Sequence, residues 1–125
     1  IDTHARIDAA LCGKPVFVDD GASRVELVTT PQMAADEKGL VHGGFIFGAA
    51  DYAAMIAVNH PHVVLGASQV KFLKPVRVGE TVVVNARVEA VSGSKHQVSA
   101  HASRDGQDVF EGVFTCFVLD KHVLD

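Results

Sequence analysis

The segment from Gly43 to Val58 breaks the pattern of an ordinary surface helix, which carries one apolar stripe and one polar face. Phe45, Ile46, Phe47, Tyr52, Met55, Ile56 and Val58 point in nearly all directions, and alanines and glycines fill the gaps. Ala49, Ala50, Ala53, Ala54 and Ala57 are strong helix formers, and Asn59-His60-Pro61 stops the run. The spacing predicts a long helix that is apolar, and so buried, all round. It is shorter than the roughly 18 residues a membrane span needs, so protein must surround it.

After this helix the period shifts to two. Val63 to Phe72 predicts a strand closed by Leu73-Lys74-Pro75. Thr81 to Val91 alternates, with Val82, Val84, Ala86, Val88 and Ala90 on one face. Ser92-Gly93-Ser94 predicts a hairpin turn, Lys95 to Ser103 pairs back, Arg104-Asp105-Gly106-Gln107 turns again, and Val109 to Leu119 is the last strand. Ahead of the helix, Ile7, Ala10 and Leu11 predict a helix over 2–11, capped at Asp2 or Thr3 and ended by Gly13 and Pro15. Val16 to Val18 and Arg24 to Thr29 predict two strands around Asp19-Asp20-Gly21, and 31–41 reads as a loop with a short helical turn. One long antiparallel sheet curling around one central helix satisfies this order, and a second copy would cover what stays exposed. The class is α+β, and 125 residues fit one domain, 1–125.

Composition narrows the function classes. With 48% hydrophobic and 21% charged residues the chain reads as folded. A net charge of −4 with no basic stripe argues against a nucleic-acid partner. Cys12 and Cys116 are too few for a disulfide framework and read as free thiols in a reducing compartment. Cys116 lies in an apolar run and reads as a core residue. No stretch has the length of a membrane span and no basic-then-apolar leader is present, so the expectation is a cytoplasmic protein without a membrane partner. His60 and His62 flank Pro61 with no acid or cysteine close in sequence, and no metal site is expected.

The chemistry concentrates on Asp51, the only charged residue between Gly43 and Val58. An unpaired buried carboxylate costs several kcal/mol. Either Asp51 caps a neighbouring backbone or pairs with an arginine, or it forms the floor of a pocket, with a raised pKa or an activated water. His42-Gly43-Gly44 opens the same helix, where the first backbone N–H groups lack intrahelical partners and the dipole is positive. Two glycines let a carbonyl approach those N–H groups, as in an oxyanion hole. Gly44 and Asp51 are two turns apart on one face, about 10 Å along the axis. A catalytic pair therefore needs Gly44 of one chain and Asp51 of another, which implies a two-fold dimer with helices side by side.

Gly39-Leu40-Val41-His42-Gly43-Gly44, then Asp51 and an apolar helix to Asn59, resembles the hotdog-fold thioesterases of the phenylacetate-pathway type. Val70-Lys71-Phe72-Leu73-Lys74-Pro75-Val76-Arg77-Val78-Gly79-Glu80 is similar to that superfamily's strand and turn, and the likeness covers roughly residues 24–118. The resemblance implies a hotdog fold and an acyl-coenzyme A thioesterase working as a homodimer or a dimer of dimers. It needs no cofactor beyond the coenzyme A of its substrate. Asp51 would be general base or nucleophile, and the Gly44 N–H would polarise the thioester carbonyl. Many members carry asparagine six residues before the histidine. Asp36 stands there in this chain, and a second carboxylate near the first would raise one pKa or alter catalysis. Ser68 lies near the family's helper hydroxyl, out of register. His42 reads as a residue whose ring fixes the loop, with direct catalysis as its other reading. Gly43 and Phe47 are further candidate substrate contacts. Lys71, Lys74, Arg77, Lys95 and Arg104 are the bases expected near the pocket mouth, and the resemblance favours Ser94 and Lys95 of the hairpin for the coenzyme A phosphates.

Two rivals stand beside hydrolysis. One is a non-catalytic acyl-CoA-binding regulator, similar to the ligand-binding domain of a malonyl-CoA-responsive repressor of lipid synthesis. No DNA-binding segment precedes the domain in this sequence, so the expected form of that rival is a sensor. The other is a dehydratase-like relative using His42 with an acid.

Overall fold

In the computed structural model, which describes residues 1–125, the elements run α1 (Ala9–Cys12), β1 (Lys14–Asp19), β2 (Ala22–Val28), α2 (Gly43–Val58), β3 (Val63–Phe72), β4 (Thr81–Ser92), β5 (Lys95–Arg104) and β6 (Gln107–Val118). A 3-10 turn sits at Pro31–Met33. The strands form one sheet in the order β1-β2-β4-β5-β6-β3, and every neighbouring pair is antiparallel. This is the hotdog arrangement, with α2 packed mainly across β2, β4 and β5.

The alanine-rich body of α2 explains its seat. Ala49, Ala50, Ala53 and Ala54 are fully buried and let the sheet approach the helix backbone closely. Val25, Leu27, Val82, Val84, Val98 and Ala100 meet it from the strands, all fully buried. The buried Ser23 hydroxyl donates to the Ala53 carbonyl at 2.6 Å and ties β2 to the helix. Asn59 ends α2 in the left-handed region, its N–H bonded to the Met55 carbonyl. One sector of α2 stays open: Gly44 is exposed, and Phe47, Gly48 and Asp51 are only half-buried. Residues 44, 47, 48 and 51 share a face at helical spacing.

The helix expected over 2–11 is only one turn long. Asp8, rather than Asp2 or Thr3, caps it, its Oδ1 accepting from the Ala10 N–H at 2.9 Å. The residues before it are held by tertiary contacts instead. Thr3 is buried, and the Asp2 N–H donates to Asn59 Oδ1 at 2.7 Å. His4 adopts φ 54° beside the Tyr52 ring, which no helix allows. In β4 a bulge between Val88 and Ala90 shifts the register. Ala90 is therefore exposed and leaves the face expected of it.

The aromatic part of the core is a row. Phe47 lies 5.6 Å from Phe114, Phe114 6.5 Å from Phe110, and Phe110 5.1 Å from Phe72, between ring centroids. Phe110 is completely buried. Phe110→Ala should lower unfolding free energy by about 3–5 kcal/mol, the range for truncating a buried aromatic. Urea titration checks this, and a loss under about 1 kcal/mol would contradict the role of Phe110 in the core.

Candidate functional site

Asp51 points from the open sector of α2. Its Oδ1 is buried and has no hydrogen-bond partner, and no cation pairs with it. The cap and arginine-pair reading of Asp51 therefore has no support in the geometry. Burial raises its carboxyl from 3.8 to about 6, with no neighbouring carboxylate contributing.

Gly43 and Gly44 are the first two residues of α2, so their N–H groups have no intrahelical acceptor. A Cβ on Gly43 would stand 3.1 Å from the Phe72 ring, so glycine here lets that ring close over the helix start. A Cβ on Gly44 would stand 3.1 Å from the His42 ring, which places the imidazole beside the Gly44 backbone. The His42 ring makes no intramolecular hydrogen bond and gives no side-chain cap; it meets Phe45 edge-on, 6.2 Å between ring centroids. Backbone bonds also hold this loop, from His42 N–H to Met33 O at 2.8 Å and from Val41 N–H to Val76 O at 2.9 Å.

An apolar cavity of about 300 Å³ opens at this end of α2, lined by Val41, Gly43, Ile46, Phe72 and Val109 among others, with Lys74 in its wall. The contribution of Val41, Ile46 and Val109 to this cavity was not read from the sequence. Phe47 joins the aromatic row that leads from Asp51's stretch of helix toward the cavity. Ser68 is exposed on edge strand β3, opposite Phe114.

Asp36, expected near Asp51, and Ser94 and Lys95, expected at the coenzyme A phosphates, stand apart from Asp51 in the protomer. Asp36 is exposed, and its Oδ1 accepts from the Lys38 and Leu40 N–H groups at 2.9 and 3.2 Å, which makes it the anchor of a turn. Ser94 and Lys95 sit at the far end of the sheet. Lys95 faces Phe117 and Phe72 faces Phe110 across the ladders. Seven residues on β6 therefore separate the hairpin from the helix start, about 23 Å at 3.3 Å per residue. Gly43, Gly44, Phe72 and Lys74 share one end, and one protomer does not bring them to Asp51 or Lys95.

Two thiols feel the charge of Asp51, a feature not read from the sequence. Cys116 on β6 is fully buried, and burial, then the Asp51 charge, pushes its thiol up to about 12. Burial, then Asp8 and Asp51, also raises Cys12. His60 and His62 face each other at 5.4 Å, with the His62 N–H bonded to His60 Nδ1. No helix is long and apolar enough to cross a membrane.

A six-stranded antiparallel sheet wrapped on one apolar helix defines the hotdog class. The family model described as the thioesterase superfamily matches residues 38–111, and the chain belongs to that superfamily. A solved structure of an uncharacterized protein from Pyrococcus horikoshii is 51% identical, covers 99% of this chain and 95% of that one, and superposes with a TM-score of 0.98. The methylthioribose-1-phosphate isomerase of Aquifex aeolicus is 53% identical over 96% of this chain, which spans 26% of that relative's length. Transcription factor FapR of Caldanaerobacter subterraneus is 27% identical over 94% of this chain and 60% of its own length. A hypothetical thioesterase from Streptococcus pneumoniae, solved with coenzyme A, shares the fold at 17% identity and a TM-score of 0.79, over 87% of each chain.

Proposed function

We propose that this chain is an acyl-coenzyme A thioesterase whose site is shared between two copies. The observation that carries the reading is Asp51, a carboxylate held at about pH 6 by burial, with an unpartnered oxygen on the open face of α2. A group poised there takes a proton readily near neutral pH. The thioester carbonyl binds against the Gly44 N–H at the positive end of one α2. Asp51 of the other copy takes a proton from water as the water oxygen attacks the carbonyl carbon, or its carboxylate attacks that carbon directly to form an acyl anhydride, which water then hydrolyses to free the acid and restore the carboxylate. In either route the C–S bond breaks, and the thiolate leaves as the thiol after gaining a proton.

Two α2 helices lying antiparallel, crossing near Gly48, would bring each Gly44 to the other copy's Asp51. Gly48 is midway between them, and a Cβ there would meet nothing within 4 Å in the protomer, which supports such a close crossing. The same pairing sets the partner's Ser94-Lys95 hairpin toward the end that carries Lys74. The ten-residue β3, an edge strand with Gly66 to Gln69 exposed, is a further surface that a second copy would cover. The coenzyme A carrier is supported by the superfamily and by the fold neighbour solved with that ligand.

The second reading, an acyl-CoA-binding regulator without useful turnover, is favoured by the likeness to transcription factor FapR. One experiment separates the two. The protein is incubated with acetyl-, malonyl-, phenylacetyl- and palmitoyl-coenzyme A, and both binding and free thiol are followed. The expected result is thiol release from at least one ester. Tight binding with no release from any of them would assign the regulator instead.

A further inference from the structure

Next to the apolar cavity at the start of α2 lies a second hollow of about 300 Å³, sharing Leu40 and Pro75 with it. Its charged lining is Lys38, Arg77 and Arg104 against Asp36 and Glu80. Both acids are already engaged. Asp36 Oδ1 accepts two backbone N–H groups, and Glu80 accepts the Arg77 N–H at 2.6 Å through Oε1 while its Oε2 lies 3.4 Å from Arg104 Nη1. The Lys38 and Arg77 side chains enter no ion pair. Arg104 Nε is buried without a partner. A net positive hollow therefore exists on a chain of net charge −4, with Lys74 in the wall of the neighbouring cavity.

The hollow is also rigidly built. Leu40 bridges Arg77, and the Val78 N–H donates to Gly39 O at 2.8 Å. The buried Thr29 hydroxyl donates to the Arg77 and Glu80 carbonyls. The cations thus stand on a preformed frame, which limits the ordering cost of binding. An apolar well joined to a cationic hollow fits a ligand with an apolar arm and a phosphate-bearing end.

We propose that Lys38, Arg77 and Arg104 form a cradle for the phosphates of the coenzyme A moiety, beside the well at the start of α2. This deepens the thioesterase reading and rests on it. Guanidinium forks suit phosphate oxygens. Asp36 then has a task other than chemistry, since its turn positions Lys38.

The test compares coenzyme A with pantetheine, which lacks the phosphates, by titration calorimetry on wild type, Lys38→Glu/Arg77→Glu and Arg77→Lys. The double variant should bind coenzyme A at least about tenfold more weakly at low ionic strength, by a smaller factor at high salt. Its pantetheine affinity and melting temperature should stay near those of wild type, and Arg77→Lys should retain part of the coenzyme A affinity. Equal coenzyme A affinity in wild type and double variant would overturn the cradle and leave the thioesterase reading intact. Wild-type protein that binds neither coenzyme A nor any acyl-coenzyme A would remove both. A double variant that unfolds hands the decision to Arg77→Ala, for which the same comparison applies.

Discussion

Asp51→Asn should cost about 10²–10⁴-fold in turnover, the range for losing a general base, while the protein melts no earlier than wild type. The two side chains have nearly the same shape, so the packing of α2 survives. Stability depends on pH in a defined way. The folded carboxyl sits at about 6 against 3.8 when unperturbed, so the native state holds its proton more tightly than the unfolded chain. Below pH 3.8 both forms are protonated and burial carries no penalty. Between 3.8 and 6 wild type loses stability as pH rises, and above 6 the penalty is constant at about 3 kcal/mol at most. The asparagine variant lacks this term, so its advantage in melting temperature should open across that window and stay flat above it. Wild-type turnover should rise through the same pH range as the base loses its proton. A variant that melts far earlier at pH 7.5 yet keeps its rate per folded molecule would make Asp51 a structural residue.

Gly44→Pro should lower turnover by about 10²–10³-fold, the cost of removing one oxyanion donor. The variant loses an N–H that has no acceptor inside α2, and proline is tolerated in the first helical turn. Stability should therefore fall by little, and thermal melting on the same sample checks it. The shared-site geometry adds a stricter requirement. Gly44→Pro and Asp51→Asn proteins, unfolded and refolded together, form mixed dimers in which one site has both intact groups. Random pairing should restore about a quarter of wild-type activity. No restoration, with mixed dimers demonstrated by mass, would place both groups of the active site in one chain.

The central helix was legible to the residue, from Gly43 to Val58, because burial on all sides leaves an unmistakable pattern and Asn59-His60-Pro61 punctuates it. Strand β3 was equally plain from Val63 to Phe72. The first ten residues were not, because Asp2 bonds Asn59 at the end of distant α2 and His4 lies beside Tyr52 of that helix, so tertiary contacts and not their own period set their conformation. The bulge at Val88–Ala90 was hidden for a related reason: one extra residue flips a face without changing composition. At the site, the spacing of Gly44 and Asp51 was readable because a helix is a ruler. That Asp36 closes a turn with the Lys38 and Leu40 N–H groups was hidden, because sequence order says nothing about which turn a carboxylate closes. The cationic hollow escaped notice as a unit because Lys38, Arg77 and Arg104 are far apart in the chain and meet only through the Leu40–Arg77 bridge and the end of β5.

The thiol of Cys116 has a consequence for self-modification. A thiolate that reaches an acyl thioester exchanges with it: its sulfur bonds the acyl carbon, the coenzyme A thiolate leaves, and the acyl group stays on the protein as a thioester. Cys116 lies within the field of Asp51, where such exchange would be a standing hazard. Burial and that same negative charge hold it up to about 12, so at pH 7 only about one molecule in 10⁵ carries the thiolate. Burial first, and the charge of the carboxylate proposed to open thioesters second, thus keep this sulfur from capturing them.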